Sequence, residues 1–488
     1  MKKLIVMGFM VIFIFAAVPE EGFPREAGEL AQPRAASGKI EGPLSLAQCL
    51  DIALQNNHFR PVSKFAVEIA EAQYRQTLSG YWPQVAVRVS YSLMDEDPNF
   101  VFPPSTINVP PSVITTPLGP IPVPAQTIRV PEQDVKLMDR ENIMGSLKMD
   151  LPLYTGGMRA AIRKQAEKGL QVAQEEARRT DLQIIYDVKR MFFGSVLSSE
   201  LLKLGQEALS RMEVTLELTE NLYKKGSGRI KKTDYLRNKT VVEALRSAVA
   251  QLKANEQLAK AALLNTMGLE WDLPLELSQT ELPFAPYQTD LKKLVGNAYS
   301  FNPDWAKIQA GLEAAEAKIK EAKSGHFPKI ALFGNLTHIW NNYDYGIVTA
   351  RNKDSWTVGV GMELPLFTGF RTTQEVKMAQ ARLGKLKEQQ ILLREGIALQ
   401  VKHLFIQMTS ARDQKKASEE AARASEENRD LNERAYQEEL VETKDMIEAQ
   451  LIESIMKAQH QKALFDHVEA QVHLDFVVGQ EIVRLIGK

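Results

Sequence analysis

Cysteine is all but missing from this chain. Cys49 is the only one in 488 residues, so no disulfide can form within the chain. Its place far beyond the apolar start also speaks against a lipid-modified N-terminal cysteine. An excess of either charge is missing too: 60 Lys and Arg balance 61 Asp and Glu, and nothing suggests a nucleic-acid partner. Long apolar runs are confined to the N-terminus, and a composition of 44% hydrophobic and 25% charged residues excludes both a disordered chain and a helical membrane protein. Proline is missing from two long stretches, between Pro152 and Pro274 and after Pro365. That removes the strongest obstacle to very long helices.

What is present begins with a basic Met1-Lys2-Lys3 followed by an uncharged segment from Leu4 to Val18. This reads as a secretory signal over 1–18, too short to span a bilayer comfortably; a buried N-terminal helix is the alternative. No small-x-small site fixes the cleavage point. Residues 19–43, rich in Pro, Gly and Glu, read as a flexible leader.

The sequence then repeats itself. Ser45 and Gln48 form a capping-box pattern ahead of Leu46, Leu50, Ala53 and Leu54 at helical spacing, and a helix is expected to run to about Gly80. Shifted by 245 residues without a gap, Leu46, Ala53, Asn57, Ala70, Ser79, Gly80 and Pro83 match Leu291, Ala298, Asn302, Ala315, Ser324, Gly325 and Pro328. Two copies of one structural unit are implied.

After each matched proline the period changes to two. Val85, Val87, Val89 and Tyr91 share a face, as do Ile143, Leu147, Met149 and Leu151 on the next run. In the second copy Ile330, Leu332, Leu336 and Trp340 alternate, followed by Trp356, Val358, Val360, Met362 and Leu364. Strands are expected at about 84–95, 141–151, 329–341 and 354–364. Each has the length of a tilted membrane-crossing strand, although half-buried strands of a soluble sandwich alternate in the same way. Between the first two, Pro98 to Pro131 holds ten prolines, a density that opposes regular structure; a long external loop without chemistry is expected there.

Leu151-Pro152-Leu153-Tyr154-Thr155-Gly156-Gly157 and Leu364-Pro365-Leu366-Phe367-Thr368-Gly369-Phe370 then close the strand segments and open long helical ones. Leu202, Leu209, Leu216 and Tyr223 recur every seven residues, with Leu201, Leu204 and Ala208 on an adjoining stripe, which implies neighbours on both sides. Helical hairpins are expected over 159–268 and 369–478, turning at Lys224–Lys232 and Glu438–Thr443. The returning helix is half as long as the outgoing one, and the helix 46–80 supplies the missing length by stacking on its end. The organisation that follows is a first unit 44–268, a linker or belt 269–288, a second unit 289–479 and a tail 480–488. Four strands cannot close a membrane barrel, because open edges in lipid leave backbone groups unpaired. Either the strands lie outside a membrane or several chains share one barrel.

The paired openings LSLAQCLDIALQNN and LKKLVGNAYSFN, the SGYWP and SGHFP strand starts, the LPLYTGG and LPLFTGF exits and the two hairpins, in this order, resemble the TolC-like outer-membrane efflux family over essentially the whole mature length. The resemblance implies a mainly α fold with a β-barrel part and two internal repeats, each a helix, two strands and a long helical hairpin. It implies a homotrimer with a shared 12-stranded barrel in the outer membrane and a 12-helix periplasmic tunnel. Its expected role is the passive exit duct of a tripartite efflux or type I secretion system, opened by a periplasmic adaptor (membrane fusion protein) and an inner-membrane pump of the RND, ABC or MFS type. A periplasmic coiled-coil adaptor or scaffold without a pore is the alternative, though it would lack the strands and the duplication. No catalytic constellation, cofactor motif or metal set is evident. His460 and His467 lie two helical turns, about 10 Å, apart, so the seven histidines read as helix-surface residues. Gly226-Ser227-Gly228 follows a helix and reads as a turn, not a phosphate loop.

The family's gate and adaptor-docking tips map onto the two helix turns. Asp445 and Glu448 fall where the family places two inward acidic residues, and a spacing of three puts them on one helix face; a solvated helix start, where acids favour the N-terminal dipole, is the other reading. Asp234 and Tyr436 match positions that pair across neighbouring tips in the closed state. Lys225, Gly226, Gly228, Arg229, Glu439, Leu440 and Val441 form the expected docking tips. Val441 and Glu439 replace the family's usual basic residue and glycine, and the basic residues of the first tip are offered Glu438, Glu439 and Glu442 as partners instead.

Overall fold

The computed structural model describes residues 42–225, 230–285, 290–438 and 440–479; the signal, most of the leader and the tail fall outside them. The chain is mainly helical with a sheet part. It divides into two compact units, one taking in residues up to Pro61, Thr180–Ala298 and the chain from Leu399 onward, the other Val62–Arg179 and Tyr299–Ala398.

Helix α1 (Leu46–Asn56) opens as the sequence predicts. The Ser45 N–H donates to Gln48 Oε1 at 2.9 Å and the Gln48 N–H to Ser45 Oγ at 3.4 Å. The helix does not continue to Gly80. Asn57 is extended, its carboxamide oxygen accepts from the Phe59 N–H at 2.9 Å, and a second helix α2 (Phe59–Leu78) starts there. An Asn that caps the next helix from within is a break that apolar periodicity does not register.

Strands β1 (Gln84–Leu93), β8 (Glu141–Tyr154), β9 (Lys329–Asn341) and β10 (Asp354–Glu363) form one antiparallel sheet in the order β1-β8-β9-β10. Its register runs Val87–Leu147–Leu336–Trp356 and Val85–Met149–Gly334–Val358 along one face. The other face carries Arg88–Ser146–Thr337–Ser355 and Ala86–Lys148–Asn335–Thr357. At these levels one face is apolar across all four strands and the other polar, whereas Phe333, Met144 and Ile339 lie on the polar face and the His338–Asp354 pair on the apolar one. Strands β1 and β10 are the edges, and among the described residues neither has an outer partner. Gly359 is required here, since a Cβ would come within 2.5 Å of the Phe333 ring. Pro152 was expected to end its strand; β8 instead runs past it to Tyr154, with an irregularity in the register between the two. The proline is tolerated because the β1 ladder has already ended at Asp150.

The Pro-rich segment is not an irregular loop. It is a long antiparallel hairpin of three short ladders, β2 (Asn99–Phe102) with β7 (Gln133–Lys136), β3 (Ser105–Val109) with β6 (Gln126–Val130), and β4 (Ser112–Thr116) with β5 (Gly119–Val123). The prolines collect largely in the joints between ladders, Pro103-Pro104, Pro110-Pro111, Pro124 and Pro131, where no ladder hydrogen bond is needed.

Helices α3 (Met158–Lys224) and α4 (Lys232–Thr266) form one hairpin, and α7 (Arg371–Gln437) and α8 (Thr443–Val478) another; α5 (Leu291–Phe301) and α6 (Pro303–Ser324) precede β9. In the first unit Ile184, Val188, Phe192, Phe193 and Val196 of α3 pack with Cys49 and Ala53 of α1, Leu263 and Leu264 of α4, and Val468 and Val472 of α8. Asn57 Nδ2 donates to the Thr266 carbonyl at 2.8 Å, joining the ends of α1 and α4. Gly268 has φ of 73° and lies where a Cβ would meet the Asn56 carbonyl oxygen at 2.5 Å. Further along α3 the fully buried positions are Ala208, Met212, Thr215 and Thr219; the Leu202–Leu209–Leu216 stripe is half-buried. In the second unit α6 runs antiparallel to the start of α3, with Lys168 Nζ 2.9 Å from Glu313 and Arg179 Nε 3.2 Å from Asp304.

Candidate functional site

At the second helix turn Glu442 is extended and caps α8. Its N–H donates to Asp445 Oδ2 at 3.2 Å. Asp445 and Glu448 are both exposed on one face of the first turns, while Met446, Ile447, Ala449 and Gln450 are buried on the other. The Tyr436 hydroxyl lies 3.1 Å from Thr443 Oγ1, within the same turn. Leu440, 78% exposed, stands out from the turn, and Val441 is half-buried.

The first turn is built by the same device. The Lys231 N–H donates to Asp234 Oδ2 at 3.1 Å, so Asp234 closes the start of α4 as Asp445 closes that of α8. Arg237 Nη1 lies 3.7 Å from Asp234, and the Tyr223 and Tyr235 rings stack at 5.8 Å to tie α3 to α4. Gly226, Gly228, Arg229 and Glu439 lie outside the described residues. Lys225 is exposed. Among the described residues the tip ion pairs stay within single helices, Lys224 with Glu220 at 2.8 Å and Arg237 with Asp234; none crosses from the first tip to the second.

Between the two turns lies a cavity of about 490 Å³ whose lining includes Leu222, Lys231, Asp234, Tyr436, Val441 and Thr443. Asp234 and Tyr436 thus face one space within a single chain, each with its hydrogen bond made to its own turn.

Sequence reasoning missed the residues just above this cavity. Glu453 is fully buried, and its carboxylate gathers Arg211 from α3 at 3.3 Å, Arg429 from α7 at 3.4 Å and Lys457 of its own helix at 2.8 Å. These are charge contacts more than aligned hydrogen bonds, since neither Glu453 oxygen has a partner of good hydrogen-bond geometry. Below it Gln450 Nε2 reaches Thr215 Oγ1 at 3.4 Å, and Asn238 Nδ2 donates to Thr219 Oγ1 at 3.3 Å. The signal was present: Met446, Gln450, Glu453 and Lys457 follow a 4-3-4 spacing that puts a Gln and a Glu on the buried stripe.

The reading of all seven histidines as surface residues needs correcting. His467 is buried beside the Phe284 ring at 4.7 Å, with its ring nitrogens 3.4 and 3.3 Å from the Met408 and Ala285 carbonyls. Burial pulls the imidazoles of His460 and His473 below the ordinary value. Among the described residues no group of three His, Cys, Asp or Glu is placed to hold a metal ion, and no helix is long and apolar enough to cross a membrane.

Residues 124–269 and 294–480 match the sequence profile of the outer membrane efflux protein family. The chain is 24% identical over 219 residues to the probable outer membrane lipoprotein SilC of Salmonella typhimurium, covering 45% of this chain and 46% of that protein. It is 26% identical over 230 residues to the toluene efflux pump outer membrane protein TtgC of Pseudomonas putida, covering 46% of each. These alignments span about half the length of the curated relatives. Among solved structures, the outer membrane protein VceC of Vibrio cholerae superimposes with a TM-score of 0.71 at 16% identity, over 89% of this chain and 96% of that one.

Proposed function

The chain belongs to the outer membrane efflux protein family, and from that premise we propose that it forms the exit duct of an export system, set in the outer membrane and reaching into the periplasm. The observation that carries this reading is the four-stranded sheet, apolar on one face, with two edges that have no partner among the described residues and strands that hand over to 67-residue helices. A hydrocarbon environment does not tolerate such edges. Three copies joined β1 to β10 give twelve strands in a closed barrel, and their two hairpins each give twelve helical staves around one axis. The two halves of the chain, matched in sequence at an offset of 245, act as two repeats of one unit. The duct is passive; a periplasmic adaptor and an inner-membrane pump open it and select the cargo. Lys225, Leu440 and Val441, with Gly226, Gly228, Arg229 and Glu439, form the docking tips, and the exposed Leu440 offers the adaptor an apolar handle.

The gate lies at the second turn. Asp445 and Glu448 share an exposed face, so three copies stack two acidic rings that attract and hold cations. Asp234 and Tyr436 meet the neighbouring copy's tips when the duct is closed. Purified full-length chain in planar bilayers should give discrete conductance steps with cation preference and block by multivalent cations from the tip side. The Asp445→Asn, Glu448→Gln double variant should keep the steps and lose much of the selectivity and block. Absence of any conductance would overturn the duct; unchanged selectivity and block would leave the two acids as a solvated helix start.

A further inference from the structure

The segment 269–285, which follows α4, is pinned at its middle. The Leu44 N–H donates to the Glu276 carbonyl at 2.9 Å and the Ser278 N–H to the Leu44 carbonyl at 3.0 Å, a parallel bridge between Leu44 and Leu277. Leu275 and Leu282 are buried in the core of the first unit with side chains of α3 and α8. Past Leu282 the segment meets a different kind of group. Phe284 and Ala285 lie against the buried His467 of α8.

His467 is 1% exposed and has a carbonyl oxygen at each ring nitrogen. The Met408 carbonyl of α7 is 3.4 Å from Nδ1, and the Ala285 carbonyl is 3.3 Å from Nε2. A neutral imidazole carries one N–H and one bare lone pair, whereas a carbonyl oxygen only accepts. In the neutral form one of these contacts is a hydrogen bond and the other sets a lone pair against an oxygen. Burial keeps bulk water from stepping in between. The protonated ring has two N–H groups and satisfies both oxygens at once. Its charge lies beside the Phe284 ring, 4.7 Å away between centroids, an aromatic neighbour that suits a cation.

The charged groups of the surrounding elements have partners of their own. On α7, Lys415 Nζ stands 5.0 Å from the centre of the Phe284 ring and 2.8 Å from Glu419, and Arg412 is 3.2 Å from Asp413. On α8, Asp466 pairs with Lys462 at 2.9 Å, and Glu469 with Arg190 of α3 at 2.9 Å. Glu281 of the segment itself is exposed. The nearest imidazoles along α8 face elsewhere, His460 to Ser418 at 3.2 Å and His473 to the Tyr186 ring at 5.1 Å.

We propose that His467 is a proton-operated clasp, which on protonation donates to α7 and to the segment 269–285 together and holds the end of that segment against the second helical hairpin. Without the proton only one of the two bonds forms, and the segment end is held by Phe284 packing alone or the α7 contact is given up. Acid therefore tightens this place. The direction is opposite to that of His460 and His473, whose imidazoles burial holds below the ordinary value and which make acid destabilising.

The test is hydrogen exchange of full-length chain in detergent, read by mass spectrometry on peptides covering 275–285 and, as an internal reference, 188–196 of α3. Rates are corrected for the intrinsic effect of pH. On going from about pH 7.5 to about pH 5.5, the range in which histidine changes charge, exchange over 275–285 should slow about tenfold against the reference, the scale of one hydrogen bond to a charged group. His467→Gln, which keeps one donor and one acceptor and gains none in acid, should abolish the slowing. His467→Phe should leave the segment fast at both pH values. Exchange in the native chain that does not slow overturns the proposal, and so does slowing that persists in His467→Gln, which assigns it to another group. If neither variant folds, the native chain decides by the presence or absence of the slowing.

Discussion

The two units bury their apolar side chains in opposite ways. The first contains nearly all the large buried ones, Leu182, Phe192, Met212, Leu263, Met267, Leu404 and Leu474 among them. In the second, among the described residues, the buried apolar side chains are Ala161, Ala310, Ala317, Val348, Ala379 and Ile397. Its valines and aromatic residues stand exposed instead, with Val85, Val87, Val89, Trp356, Val358 and Val360 all at least half accessible. A chain that closes one core and leaves another open needs surroundings for the second. The first unit is held by its own packing; under the proposed duct, lipid on one face and other copies at its edges hold the second.

This contrast can be broken by substitution. Phe192→Ala in the first unit removes a fully buried ring and should cost about 3–5 kcal/mol, equally in detergent and in bilayers, as read by chemical denaturation. Glu453→Ala should fall in the same range, because it leaves converging cations without their buried partner. Equal tolerance of Phe192→Ala and of an exposed control would contradict the closed core.

In the second unit Val358→Arg should cost about 2–4 kcal/mol near mid-bilayer, whereas Thr357→Arg on the polar face should cost little. Folding yield into vesicles reads both. If the two variants behave alike, the faces of the sheet do not meet different media.

Smaller effects separate the two tips. Asp234→Ala and Asp445→Ala each remove the acceptor of a helix-cap N–H and should fray their helix starts by about 1 kcal/mol, visible as faster hydrogen exchange there. Asp234→Ala and Tyr436→Phe should also raise the open fraction in bilayers. An unchanged open fraction with the fraying present would confine both residues to local capping and packing.

The smallest effect is on pH dependence in the first unit. The imidazoles of His460 and His473 are lowered chiefly by burial. The unfolded chain therefore binds protons first as pH falls below about 6.5, and stability is lost in that direction. Melting temperature should drop between pH 7.5 and 5.5, and His460→Gln with His473→Gln should flatten the drop.

Much of this was legible in the sequence because two periods separate cleanly. The valine alternation of 85–89 and 358–362 located the strands, and the proline-free stretches located the long helices. Three features escaped for physical reasons. Asn57 breaks a helix by capping its successor, which apolar spacing does not record. The prolines of 98–131 oppose a continuous strand, yet most of them sit in the joints between ladders, so short ladders form between them. Glu453 looks like one of many helix-surface acids until its place on the Met446–Gln450–Lys457 stripe is counted. At the tips Asp234, Tyr436 and Val441 line one cavity, and Asp234 and Asp445 hold their own helix starts, a role their third position in each helix implies.

The most direct measurement is the number of chains in the detergent-extracted particle, determined by light scattering on full-length protein with the detergent mass subtracted. Three chains per particle, resistant to dilution, is the result expected if the free edges of β1 and β10 are closed by neighbouring copies. A monodisperse single chain that still inserts into vesicles would contradict the shared barrel, because four strands would then cross the bilayer with both edges open.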